Sequence, residues 1–116
     1  MDLRAVITAA LIAVSSPAFA QSANANQADL DSGFALYAAG KFPEAMLAFQ
    51  AAAERNNAAA QEILGLMLLK GETLYSRVPA DEERALHWLR RAAANGSEVA
   101  RYEVDYLDRR LASAQR

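Results

Sequence analysis

Apolar residues recur at helical spacing in five stretches of this chain, separated by short polar or glycine-containing breaks. The first stretch spans about residues 28–39 and stops at Gly40, a residue suited to the left-handed conformation that ends helices. The second opens on Phe42, Pro43 and Glu44 and continues through Ala45, Met46, Phe49 and Ala52 to Arg55. Proline is tolerated in a first helical turn, and Glu44 complements the positive end of the helix dipole there. Asn56 and Asn57 break the pattern and supply a cap for a third helix over 58–70, which Gly71 ends. After a loop over 72–79, a fourth helix is expected over about 80–95. It is acidic at its start (Asp81, Glu82, Glu83) and basic toward its close (Arg90, Arg91). Ser97 is the expected N-cap of a fifth helix reaching about Leu111. With short connections and no strand pattern, the expected fold class is all-α.

The N-terminus reads as an address. Asp2, Leu3 and Arg4 precede an apolar run from Ala5 to Val14, and Ser15, Ser16 and Pro17 lead to Ala18-Phe19-Ala20. Small residues two apart are what a signal peptidase accepts, so residues 1–20 are expected to be a cleaved secretory signal. The apolar run is about half the roughly 20 residues that a membrane span requires. No cysteine follows to carry a lipid, so no stable membrane insertion is expected after cleavage, and the location is expected to be periplasmic or secreted. Residues 21–27 are polar and of low complexity, and are expected to form a flexible leader.

Composition narrows the functional classes. The chain has no cysteine, which removes disulfides, thiol catalysis and cysteine metal sites. Its formal charge is −2, and loss of one Arg and one Asp with the signal leaves that balance unchanged. A pI near 5.3 without a basic block argues against nucleic acid and anionic lipid as partners. Abundant alanine with leucine favours closely packed helices.

Internal periodicity then decides the architecture. Gly33, Gly40, Phe42, Ala45, Phe49 and Ala52 have the spacing of a tetratricopeptide helix pair. Ala60, Leu64, Gly65, Gly71, Val78, Asp81, Ala85, Trp88, Ala92, Ala93, Gly96 and Ala100 follow in a more specific order. On these residues the chain resembles the Sel-one-like repeat, a relative of the tetratricopeptide repeat, and is similar to a small exported bacterial member of that family. The resemblance implies a short α-α superhelix: a tetratricopeptide-like pair over 28–57, a Sel-one-like repeat over 58–100, and a capping helix and tail over 101–116. Two departures stand out. The loop between Gly71 and Val78 carries extra residues, including Leu74 and Tyr75, and the positions that would read Leu-Gly after Ala100 are Val104 and Asp105.

Packing accounts for the motif residues. Trp88 fills space between helices, Gly65 and the Ala92-Ala93 pair permit close approach, and Asp81 caps or orders the loop. His87, the only histidine, has no partner histidine or cysteine, so no metal ligand is expected. No G-x-S-x-G, S-x-x-K or phosphate loop is present, and neither an enzymatic role nor a cofactor is expected. Secreted, cysteine-rich relatives with proposed β-lactam binding or hydrolysis make a cell-envelope enzyme the remote alternative, but this chain lacks their cysteines.

In such superhelices the first helix of each pair lines the concave face. The corresponding positions are Gln27, Leu30, Phe34, Tyr37 and Ala38 in the first helix, and Ala59, Glu62, Leu66, Leu69 and Lys70 in the third. In the fifth they are Val99, Tyr102, Tyr106, Arg109 and Arg110. The packing stripe of that last helix is Ala100, Val104, Leu107 and Leu111, so Tyr102, Arg109 and Arg110 are not required by the core. Aromatic and arginine side chains anchor protein interfaces. The candidate contact residues are therefore Phe34, Tyr37, Leu66, Leu69, Lys70, Tyr102, Tyr106, Arg109 and Arg110. The expected function is an exported scaffold or adaptor that binds a partner peptide or helix. A self-associating repeat protein, dimeric through the same patch, is the second reading.

Overall fold

The computed structural model describes residues 17–116, with side-chain burial from Asn24 onward. Most of the expected signal segment, residues 1–16, lies outside the described residues. Five α-helices follow one another: α1 (Pro17–Ala38), α2 (Phe42–Glu54), α3 (Ala58–Lys70), α4 (Glu82–Ala94) and α5 (Glu98–Ala114). A short 3-10 turn, Gly71–Thr73, extends α3, and no strand occurs among the described residues. Each helix packs on the next, most extensively α1 on α2 and α3 on α4. The all-α class and the two pairs plus a terminal helix therefore stand as the sequence implied.

Residues 21–27, expected as a leader outside the fold, instead belong to α1, which begins at Pro17 rather than near Ala28. From Ala18 to Ser32 there is neither proline nor glycine. Extending an existing helix costs far less than nucleating one, so nothing halts it going backward from the packed half. Gln27 Nε2 donates to Asp31 Oδ1 at 2.8 Å one turn later, and Asp29 pairs with Arg55 at the far end of α2.

The starts of α3, α4 and α5 are set by side-chain caps. Asn57 accepts from the Ala60 N–H at 2.9 Å, Asp81 from the Arg84 N–H at 3.1 Å, and Ser97 from the Ala100 N–H at 3.0 Å. Each such cap satisfies an otherwise orphaned amide and contributes about 1 kcal/mol. Asp81 thus stands before α4 rather than inside it. The long loop returns onto α3, where the Asp81 N–H donates to the Leu68 carbonyl at 2.9 Å. Gly71 makes that return possible: its φ is +55°, and a Cβ there would lie 2.6 Å from the Ala80 backbone nitrogen.

The core forms two adjoining clusters. Phe49, Leu64, Met67, Leu68, Val78 and Trp88 fill the first, with Ala45, Ala52, Ala53, Ala60 and Ala85 at the helix crossings. Leu86, Leu89, Ala92, Ala100 and Leu107 fill the second, against Leu66, Leu69 and Val104. Phe49 is fully buried, which contributes about 1.5–3 kcal/mol. Trp88 is buried as a packing residue, with exposed His87 edge-on to it and the Arg91 guanidinium 5.0 Å from its ring centre.

Candidate interaction surface

The alternation of packing places α1, α3 and α5 at equivalent positions in successive pairs. The interval from Ala60 to Ala100 relates α3 to α5, so that Leu64 corresponds to Val104, Gly65 to Asp105, Leu66 to Tyr106 and Leu69 to Arg109. This correspondence separates the nine candidate contact residues into those the fold consumes and those it leaves free.

Leu66 and Leu69 are consumed. Both are half-buried, packed against the cluster of Leu86, Leu89, Ala92, Ala100 and Leu107 that α4 and α5 contribute. They belong to the packing around that cluster and do not form an open groove wall. Tyr37 is half-buried in a ring cluster with Phe42 and Tyr75, at centroid distances of 5.4 and 5.7 Å, and its hydroxyl lies 3.2 Å from that of Tyr75. Of the extra loop residues, Tyr75 thus has a packing role, tying the second repeat back onto the first, while Leu74 is exposed. Burial, followed by the hydrogen bond with Tyr37, pushes the Tyr75 hydroxyl up to about 12 from its ordinary value of 10.0. Tyr75 was not among the candidate residues, although its place in an over-long loop was visible.

Phe34 is in between. Its ring meets Phe49 edge-on at 5.2 Å, yet 46% of the residue stays exposed. Lys70 is exposed at the end of α3.

The α5 residues remain on the surface. Tyr102 is 66% exposed, Tyr106 51% and Val99 49%, and their three- and four-residue spacing aligns them on one helix face. Val99, absent from the candidate contact residues, completes this stripe. Arg109 is exposed, its Nε donating to the Asp105 carbonyl at 3.2 Å. Arg110 is also exposed and pairs with Glu82 at the start of α4; hydrogen bonding to that carboxylate tightens its hold on its proton. Leu111, expected in the packing stripe, is 38% exposed because α5 runs beyond the end of its neighbour.

The opposite flank of α5 is polar. Arg90 of α4 pairs with Asp108 at 2.9 Å, and a shallow depression of about 370 Å³ lies beside Asp105, Asp108 and Arg109. Charged and open, it lacks the enclosed apolar walls of a small-molecule pocket. Among the described residues, no three His, Cys, Asp or Glu side chains group as a metal site would require. No helix among them is long and apolar enough to cross a membrane.

Residues 58–97 match the Sel1 repeat family model, from the start of α3 to the cap of α5. The chain carries a Sel1 repeat. Sel1 repeats are helical protein-interaction modules, typically non-catalytic. In this Sel1 repeat the signature residues are structural: Gly65 admits Leu89, Trp88 fills the core, and Asp81 caps α4. No curated protein and no solved structure matches the chain.

Proposed function

We propose that this chain is an exported protein-interaction module, a scaffold or adaptor, whose contact surface centres on α5 and accepts a helical segment of a polypeptide partner. One observation carries the reading: Val99, Tyr102 and Tyr106 expose an apolar stripe that the fold does not use, with Arg109 and Arg110 at its end. Large apolar residues aligned on an exposed face mark interaction sites, and tyrosine and arginine supply most of the energy in such contacts. Phe34 and Lys70 are the further candidates on the same concave side. Tyr37, Leu66 and Leu69 act beneath the surface, by holding its helices in place.

Export rests on the Ala18-Phe19-Ala20 pattern behind the apolar run. Cleavage after Ala20 removes the first turn of α1 and leaves the segment from Leu30 to Tyr37 that packs on the core. N-terminal sequencing of protein from the periplasm or medium is expected to begin at Gln21. An uncleaved cytoplasmic product would overturn that part.

The interaction itself is tested by capture from envelope extracts, with the wild type beside a Tyr102→Ala/Tyr106→Ala/Arg109→Ala variant. A partner retained by the wild type and lost by a variant of unchanged helical content supports this surface. Equal retention by both removes it.

A further inference from the structure

We infer that the partner seated on the α5 stripe is a second copy of this chain, with its own α5 antiparallel across a two-fold axis. This rests on reading the stripe as a protein-binding face, and it adds the identity of the occupant.

The first argument is what the stripe excludes. In the second repeat α3 receives α4 through Gly65, where a Cβ would lie 2.7 and 2.8 Å from atoms of the buried Leu89 side chain. The corresponding position on α5 is Asp105, exposed and flanked by Arg101 and Asp108. A following helix cannot approach α5 as closely as α4 approaches α3, and it would bury charge in doing so. The repeat therefore does not continue from α5 by the same close helix approach. The apolar face with Val99, Tyr102 and Tyr106 remains, and what covers it lies along α5 rather than continuing the repeat.

The second argument is that the face is self-complementary. Its N-terminal end carries Glu98 and its C-terminal end carries Arg109. At about 100° per residue, these two fall on the same flank of the stripe. A two-fold axis through the middle of the stripe brings Tyr102 of one protomer opposite the partner's Tyr106. The same operation sets Glu98 against the partner's Arg109, twice. A parallel pairing would set Glu98 beside Glu98 and arginine beside arginine. Glu98 is free to turn outward: among the described residues its one ionic contact is a loose one to Arg101 at 3.7 Å, and its side chain is 87% exposed. Symmetric self-pairing of one patch is also the commonest route to a closed dimer.

The full chain is tested by sedimentation across a concentration series at low and high salt, with helical content monitored by circular dichroism. The expected mass is twice the 12.5 kDa of the chain, with dissociation shifted to higher concentration by salt. Tyr102→Ala/Tyr106→Ala is expected to be a folded monomer. Glu98→Arg alone and Arg109→Glu alone are each expected to weaken the dimer at least tenfold, and combining the two is expected to restore it. A wild type that stays monomeric throughout overturns the inference, and so does a dimer indifferent to all of these changes. Failure of the inference is separable from failure of the interaction reading. A monomer that still captures a foreign protein through Tyr102 and Tyr106 refutes only self-pairing, whereas a monomer that captures nothing refutes both.

Discussion

Gly65→Ala tests the close approach of α3 to α4, the contact on which the Sel1 repeat depends. Two effects of opposite sign compete. Alanine is better than glycine within a helix by about 1 kcal/mol, so an open site would gain stability. The new Cβ, however, would stand 2.7 Å from Leu89 Cγ, 2.8 Å from Leu89 Cδ2 and 3.3 Å from the Ala85 carbonyl oxygen. Leu89 is fully buried and cannot swing into solvent, so either its rotamer or the helix spacing must give. Overpacking of this kind costs about 1–3 kcal/mol. The net expectation is a loss of about 1 kcal/mol, and hence a melting temperature lower by about 4–8 °C in a domain of this size. Thermal and urea unfolding followed by circular dichroism measure it. Leu89→Ala alone is expected to cost about 2–5 kcal/mol by leaving a cavity. In the double variant the methyl added at position 65 has room, so the cost should fall short of the sum of the singles by about 1 kcal/mol or more. If Gly65→Ala raises stability, or the two changes simply add, the glycine is not there for close packing and the argument from Asp105 against the same close approach at α5 loses its basis.

Three further predictions concern the polar joints. Gln61 is fully buried; its Nε2 donates to the Ala53 carbonyl at 3.0 Å, and its Oε1 accepts from Asn95 Nδ2 at 2.9 Å, tying the α2–α3 turn to the α4–α5 turn. Gln61→Leu strands these groups and is expected to cost about 1–3 kcal/mol in urea unfolding, despite the added apolar volume. Ser97→Ala removes the α5 cap and the 2.6 Å bond from Ser97 Oγ to Glu62 Oε2. About 1 kcal/mol should be lost, with amide exchange fastest in the first turn of α5. The Tyr75 hydroxyl is held neutral in the fold, with its pKa pushed up to about 12 against 10.0 unfolded. Its contribution is complete below pH 10 and declines as the pH rises toward 12, because the unfolded chain ionises first. Alkaline unfolding of Tyr75→Phe is expected to depend less on pH in that window than that of the wild type. Identical profiles would mean that Tyr75 is as free as an exposed phenol.

Much of the fold was legible along the chain because its signals are local. Caps at Asn57, Asp81 and Ser97, the turn at Gly71 and the apolar period of each helix act within a few residues, and each reappears where the pattern put it. The start of α1 was misjudged for the complementary reason. A polar stretch without an apolar period has no reason to begin a helix, but nothing stops it from extending one already held by packing. The exposed positions of α5 were also legible: Tyr102 and Arg109 lie off the packing stripe, and the stripe depends on that one helix alone. Only the tertiary structure decided the fate of Tyr37, Leu66 and Leu69. Tyr37 meets Tyr75, 38 residues onward, and Leu66 and Leu69 pack against the cluster that α4 and α5 build later in the chain. Helical spacing says which residues share a face, but not whether another element covers that face. Coverage is set by contacts between distant parts of the chain, and here it divides the expected contact positions into core and exposed surface.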